Sequence, residues 1–300
     1  MRLDPAPLAA ALAAQGRVAR VVVASVRGSA PRGAGTAMLV WADGQHGTIG
    51  GGTLEWEATR LARAALASDA APFARRHALG PDLGQCCGGA VVLVTEVLDR
   101  VPEGPVRAVR VEGDAPRPAL PGWRDGWLVE AVGTDRAPLW VWGAGHVGRA
   151  VADVLAPAET FAIWWADFDA ARFPARLPAG VERVVAADLP ALAAHAPSDA
   201  HHLILTHSHE TDLALSEALL RRGFASCGLI GSGTKRARFA ARLRKMGHPD
   251  PFRRIRCPIG DPTLGRTPQA IAIGVAAELL RMDLAARAGQ ASTRQEAPAA

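Results

Sequence analysis

The chain has 300 residues, 49% of them hydrophobic, and a formal net charge of +5 at neutral pH. Its apolar runs fall well short of the ~18 residues that span a bilayer, so no membrane association is expected. Arginine is spread widely, tyrosine is absent, and no aromatic-and-basic recognition motif occurs, which argues against a nucleic-acid partner. The length predicts two domains. Four cysteines without regular spacing (Cys86, Cys87, Cys227, Cys257) do not make a secreted disulfide framework. No signal peptide is visible, so a cytoplasmic protein is expected.

Residues 8–14 read as a short amphipathic helix and the β-branched run 18–26 as a buried strand. A glycine-rich loop covers 27–35, and a strand at 38–41 enters a tight turn at Asp43-Gly44. Gly50, Gly51 and Gly52 precede a helix over 53–67, whose first turn carries Glu55 and Glu57. Three consecutive glycines before a helix make an anion-receptive nest. Gln85-Cys86-Cys87-Gly88-Gly89 then leads into a strand at 90–98. Adjacent cysteines rarely bond to each other, and thiols in a glycine turn suit soft-metal, sulfur or redox chemistry. The alternative is a turn with two small buried residues.

Residues 101–136 are rich in proline, glycine and charge, with strand-like pieces at 106–111 and 127–132; they read as the last strands of the first domain and a linker. Strands at 139–142, 161–166, 202–206 and 225–230 then alternate with helices at 143–156, 212–222, 234–246 and 268–282. Such alternation predicts a parallel sheet with helices on both faces. The fold class is α/β: an N-terminal α/β domain (1–135), a Rossmann-like doubly wound parallel-sheet domain (136–285), and a disordered tail (286–300).

Gly143-Ala144-Gly145-His146-Val147-Gly148 matches G-x-G-x-x-G after a strand and at a helix start, with Asp167 at the end of the next strand. The pattern predicts a tight turn and a helix N-terminus aimed at a phosphate. It does not by itself predict dinucleotide chemistry. His207 and His209, at a strand's C-terminal end, invite a metal reading, but the acid falls one place late for a metallo-hydrolase and no further histidine follows. They read best as pocket-lining residues. Gly231-Ser232-Gly233-Thr234-Lys235 lacks the Walker order, so ATP hydrolysis is not supported. Ser232, Thr234 and nearby Lys235 at a helix N-terminus could still hold a phosphate or another anion; a glycine-assisted strand-to-helix turn with a solvated basic face is the alternative. The basic run Lys235, Arg236, Arg238, Arg242, Arg244 and Lys245 reads as a solvated helix face, or as a draw for a phosphate-bearing molecule or an acidic surface.

Together these motifs resemble the xanthine dehydrogenase accessory proteins, in register over about 18–280. Gly28-Ser29-Ala30-Pro31-Arg32, Gly47-Thr48-Ile49-Gly50-Gly51-Gly52 and Gly84-Gln85-Cys86-Cys87-Gly88-Gly89 match the first domain of that family. Trp142 to Gly148, Thr206-His207-Ser208-His209 and Gly228-Leu229-Ile230-Gly231-Ser232 match its second. The resemblance implies a chaperone, not an enzyme. It would bind and shield the molybdenum cofactor (molybdopterin) as cargo, present it to a cysteine desulfurase for sulfuration, and deliver it to apo-xanthine dehydrogenase, with self-association as a homodimer. Cofactor contacts are then expected at Gly50, Gly51, Gly52, Gln85, Cys86, Cys87, Gly143, Gly145, His146, Gly148, His207, His209, Ser232 and Lys235, with Cys86 or Cys87 near molybdenum. An NAD(P)-dependent oxidoreductase of Rossmann type is the alternative, and NAD(P) binding is not expected.

Overall fold

A computed structural model describes residues 1–80 and 88–295. Gln85, Cys86 and Cys87 therefore lie outside the described residues. The chain divides into two compact units, Met1–Asp135 and Arg136–Ala300.

The first unit opens with β1 (Arg2–Leu3) and α1 (Pro5–Gln15), the latter capped by Asp4. Next come β2 (Val18–Arg27), β3 (Ala37–Val40), β4 (Gln45–Gly47), α2 (Gly52–Ser68), β5 (Phe73–Ala78) and β6 (Ala90–Leu98). These five strands form an antiparallel sheet of order β4-β3-β2-β6-β5. The strands expected at 106–111 and 127–132 build a second sheet with one that was not expected: β7 (Val106–Arg110) and β8 (Gly122–Arg124) flank β9 (Trp127–Val132), and β1 pairs with β9 in parallel.

Alternation along β2 explains why it is apolar on both faces. Ala19, Val21 and Val23 pack with Leu54, Ala58 and Ala62 of α2, whereas Val22 and Ala24 pack with Val92, Val94 and Leu128. The strand is covered on both faces. Arg20 falls on the second face and would be an isolated buried charge but for its neighbours. Its guanidinium donates to Glu96 (3.1 Å), its register partner on β6, and to both oxygens of Glu130 on β9 (2.7 and 2.6 Å). Arg107, opposite Glu130 on β7, also reaches Glu96. Two arginines and two carboxylates thus neutralise one another. Burial alone would lower the Arg20 pKa, but hydrogen bonding to Glu130 and both carboxylate charges raise it.

The second unit contains β10 (Ala137–Trp142), α3 (His146–Leu155), β11 (Phe161–Asp167), β12 (Val181–Val185), α4 (Leu189–Ala193), β13 (His201–Ile204), α5 (His209–Arg222), β14 (Ser226–Leu229), α6 (Gly233–Lys245), β15 (Ile255–Arg256) and α7 (Pro268–Gln295). All six strands are parallel, in the order β12-β11-β10-β13-β14-β15. Counting from β10, this is the 3-2-1-4-5-6 order of a doubly wound sheet, with its switch point between β10 and β13. Residues 286–295, expected to begin a disordered tail, continue α7, since this alanine-rich stretch holds no proline to stop the helix.

Register places Trp164, Trp140 and His202 side by side across β11, β10 and β13. The Trp140 ring stacks on Trp142 and Trp164, with centroids 5.0 and 5.7 Å away. Trp142 Nε1–H donates to His202 Nδ1 at 3.2 Å. Burial, with a smaller contribution from His201, pulls the His202 pKa from 6.5 down to about 3. The unfolded chain therefore binds a proton that the folded chain refuses. This contribution to stability is complete above pH 6.5 and declines as pH falls toward about 3. At ~1.4 kcal/mol per pH unit, about 2 kcal/mol is lost by pH 5. Urea midpoints at pH 7 and pH 5 are expected to differ less in His202→Gln than in the parent chain; parallel pH dependence in the two would contradict the assignment.

Candidate functional site

The expected site residues of the second unit gather at the C-terminal ends of β10, β13 and β14, where open parallel sheets bind ligands. The turn after β10 is shaped by close approach. A Cβ on Gly143 (φ +114°) would lie 2.6 Å from the Leu205 carbonyl oxygen, and one on Gly148 would lie 2.1 Å from the Gly143 carbonyl oxygen. Glycine at both positions lets α3 and the loop after β13 close on the turn. Gly145 differs: its Cβ direction is open, and as N-cap it offers α3 no side-chain hydrogen bond. His146, the first residue of α3, is exposed, and the leading N–H groups of α3 have no side-chain cap.

Asp167 is committed internally. It is buried, accepting from Ala144 N (2.5 Å) and Arg172 Nε (3.0 Å) through Oδ2 and from Phe168 N (2.8 Å) through Oδ1. The acid that a dinucleotide site would offer to a ribose instead braces the glycine turn. The Phe168 and His207 rings, 5.7 Å apart, belong to the loops after β11 and β13 and meet across the end of β10, which lies between those strands.

A second cradle spans the loops after β13 and β14. Asp212, fully buried on α5, accepts from Thr206 Oγ1 (2.6 Å) and from the Lys235 ammonium. Lys235 also donates to the Ile230 carbonyl (2.9 Å) and lies 5.3 Å from the Phe239 ring centroid. Ser208 caps α5 and Ser232 caps α6. Lys235, expected to hold an external anion, is therefore spent on Asp212. Above it opens a cavity of about 360 Å³, bordered by His207, His209, Ser232, Thr234, Arg238 and Arg242. The two arginines are absent from the expected set. Their signal was the spacing Lys235, Arg238, Phe239, Arg242, which lays four residues along one face of α6.

In the first unit, Gly50, Gly51 and Gly52 all have positive φ, and their N–H groups were expected to meet a phosphate. The chain supplies its own anion. Glu55 Oε2 accepts from Ile49 N and Gly51 N (both 2.9 Å) and from the Thr48 hydroxyl, while Gly50 N donates to Thr48 Oγ1. Burial alone would raise the Glu55 pKa, but Thr48, Gly51, Gln45 and Ile49 together lower it.

Among the described residues, no group of three or more His, Cys, Asp or Glu is placed to hold a metal ion. His209 packs edge-on against Phe239, apart from the ring contact of His207. Cys227 and Cys257 lie in the core, where burial raises both thiol pKa values and leaves them protonated and inert. No helix among the described residues is long and apolar enough to cross a membrane.

Removing one partner of the Asp212–Lys235 pair strands the other charge away from water. Lys235→Met is expected to cost about 3–5 kcal/mol in urea unfolding. Asp212→Leu combined with Lys235→Met should cost less than the two single changes added together. A Lys235→Met cost below ~1 kcal/mol, the value of an exposed pair, would contradict this account.

Comparison with known proteins follows the same division. Residues 139–279 match a family model described as the XdhC Rossmann domain, and residues 11–76 match the model of the XdhC and CoxI family. The YqeB protein of Escherichia coli is 29% identical over 263 residues, which is 85% of this chain; the chain spans 42% of that protein's length. A crystal structure described as a xanthine dehydrogenase from Bacillus halodurans shares the fold, with a TM-score of 0.71 at 18% identity over 93% of this chain and 96% of that one. Two models of one family, matched in order on the two units, establish that the chain belongs to the XdhC and CoxI family.

Proposed function

We propose that this protein is a molybdenum cofactor carrier serving xanthine dehydrogenase maturation. It binds the finished molybdopterin cofactor as cargo and shields it from oxidation. It presents the molybdenum to a cysteine desulfurase, which replaces one oxo ligand by sulfur, and then passes the cofactor to apo-xanthine dehydrogenase. The observation that carries this reading is membership of the XdhC and CoxI family across both units.

The second unit supports the reading through its donors. The uncapped N-terminus of α3 and the arginine-bordered cavity beside it suit an anionic ligand. The dinucleotide alternative is disfavoured by Asp167, whose oxygens already serve Ala144, Phe168 and Arg172. Soft thiolates suit molybdenum, so Cys86 and Cys87 are assigned to the metal end of the cargo on the family resemblance, with Gln85 beside them. The homodimer and cytoplasmic residence belong to the same proposal.

Purified protein incubated with released molybdenum cofactor is expected to carry molybdenum and pterin fluorescence through gel filtration. Cys86→Ala combined with Cys87→Ala should retain less molybdenum per chain. A protein peak free of both signals that nevertheless binds NAD would overturn the carrier reading. Equal molybdenum retention and equal support of sulfuration by the double variant would overturn the thiol assignment alone.

A further inference from the structure

Besides the N-terminus of α3, three features among the described residues have the local chemistry of an anion site, and internal groups already answer two of them. The glycine nest before α2 holds the Glu55 carboxylate. The Lys235 ammonium at the base of the second cradle holds Asp212. The third is the pair of guanidinium groups on the outer part of α6. Arg238 and Arg242 are exposed, stand one helical turn apart, and border the 360 Å³ cavity. Neither has a hydrogen-bond or ion-pair partner among the described residues. Like charges four residues apart on a helix repel, and an anion placed between them removes that repulsion.

We propose that this cavity is a binding site for a phosphate monoester, gripped by Arg238 and Arg242. Guanidinium forks match phosphate oxygens in bidentate geometry, which a point-charge ammonium cannot do. Thr234 on α6 adds a hydroxyl donor, and His207 and His209 also border the cavity. Its volume falls within the ~300–1,000 Å³ usual for small-ligand sites. Lys235 is a positioning residue. Through Asp212 and the Ile230 carbonyl it ties the loop after β14 to α5, and so holds the α6 arginines against the histidine loop. The site lies one strand beyond the β10/β13 switch point, beside the glycine turn rather than on it. Within the carrier reading above, on which this last step rests, the group it takes is the pterin phosphate.

The test is calorimetric titration of the full chain with inorganic phosphate at fixed ionic strength. One saturable site per chain is expected. Arg238→Gln combined with Arg242→Gln should weaken it at least tenfold. Arg244→Gln combined with Lys245→Gln removes the same charge from other positions of α6 and should stay within about twofold. Conversion of Arg238 and Arg242 to lysine keeps the charge without the fork and should fall between, which keeps the test decisive if the glutamine pair folds poorly. Absence of saturable binding in the parent chain, or equal weakening by the two charge-removing pairs, overturns the proposal. Gel filtration with molybdenum cofactor separates it from the carrier reading. Retention by the parent chain and equally by the Arg238/Arg242 variant would sink the phosphate site and leave the carrier standing. Phosphate binding that needs the arginines, in a chain retaining no cofactor, would do the reverse.

Discussion

Lys235 and Asp212 form a buried ion pair just below the ligand-facing edge of the second unit, and the architecture around it follows from the cost of burying charge. An unpaired ammonium or carboxylate in that position would cost several kcal/mol. The loops after β13 and β14 must therefore bring the two together, with Thr206 and the Ile230 carbonyl satisfying what remains. Once joined, they fix the distance between α5 and α6 and the depth of the cavity between them. A group that looks like a ligand contact in one dimension is a structural tie in three.

The same constraint recurs through the molecule. Asp167 answers the Ala144 N–H and the Arg172 guanidinium; Glu55 answers the nest of α2; Glu96 and Glu130 answer Arg20 and Arg107. Each carboxylate spends donors that would otherwise attract an outside anion. Among the described residues, the groups left over for a ligand include the first turn of α3, the arginines of α6 and the histidines of the 206–209 loop. A fold carrying the geometry of dinucleotide binding has thus given its ribose acid to internal bracing, and fold and function separate at that residue.

The parts legible from the chain were those with local causes. The G-x-G-x-x-G turn, the strand at 90–98 and the helix that becomes α6 each announce themselves through spacing or periodicity within a dozen residues. Less visible were β5, whose Phe-Ala-Arg-Arg-His-Ala sequence becomes a strand only by pairing with β6, and β15, only two residues long at a sheet edge. The partners of buried charges were not legible at all. Asp212 meets Lys235 across 23 residues, and Arg20 meets Glu130 across 110. In sequence Glu55 is a favourable charge in a helix's first turn, whereas its reach back to Ile49 depends on three consecutive positive φ values. The arginines of α6 were visible as a charged run, yet their division into a cavity face and an outer face depends on where the neighbouring loop lies.

The aromatic stack on β10 and β11 has an optical consequence. Indoles stacked at 5.0 and 5.7 Å couple their electronic transitions, and the chain contains no tyrosine to overlay their bands. The Trp140–Trp142–Trp164 array is therefore a built-in chromophore whose exciton contribution to the short-wavelength circular dichroism depends on β10 and β11 staying in register. Trp140→Phe breaks both stacks, and the difference spectrum isolates that contribution from those of the other tryptophans.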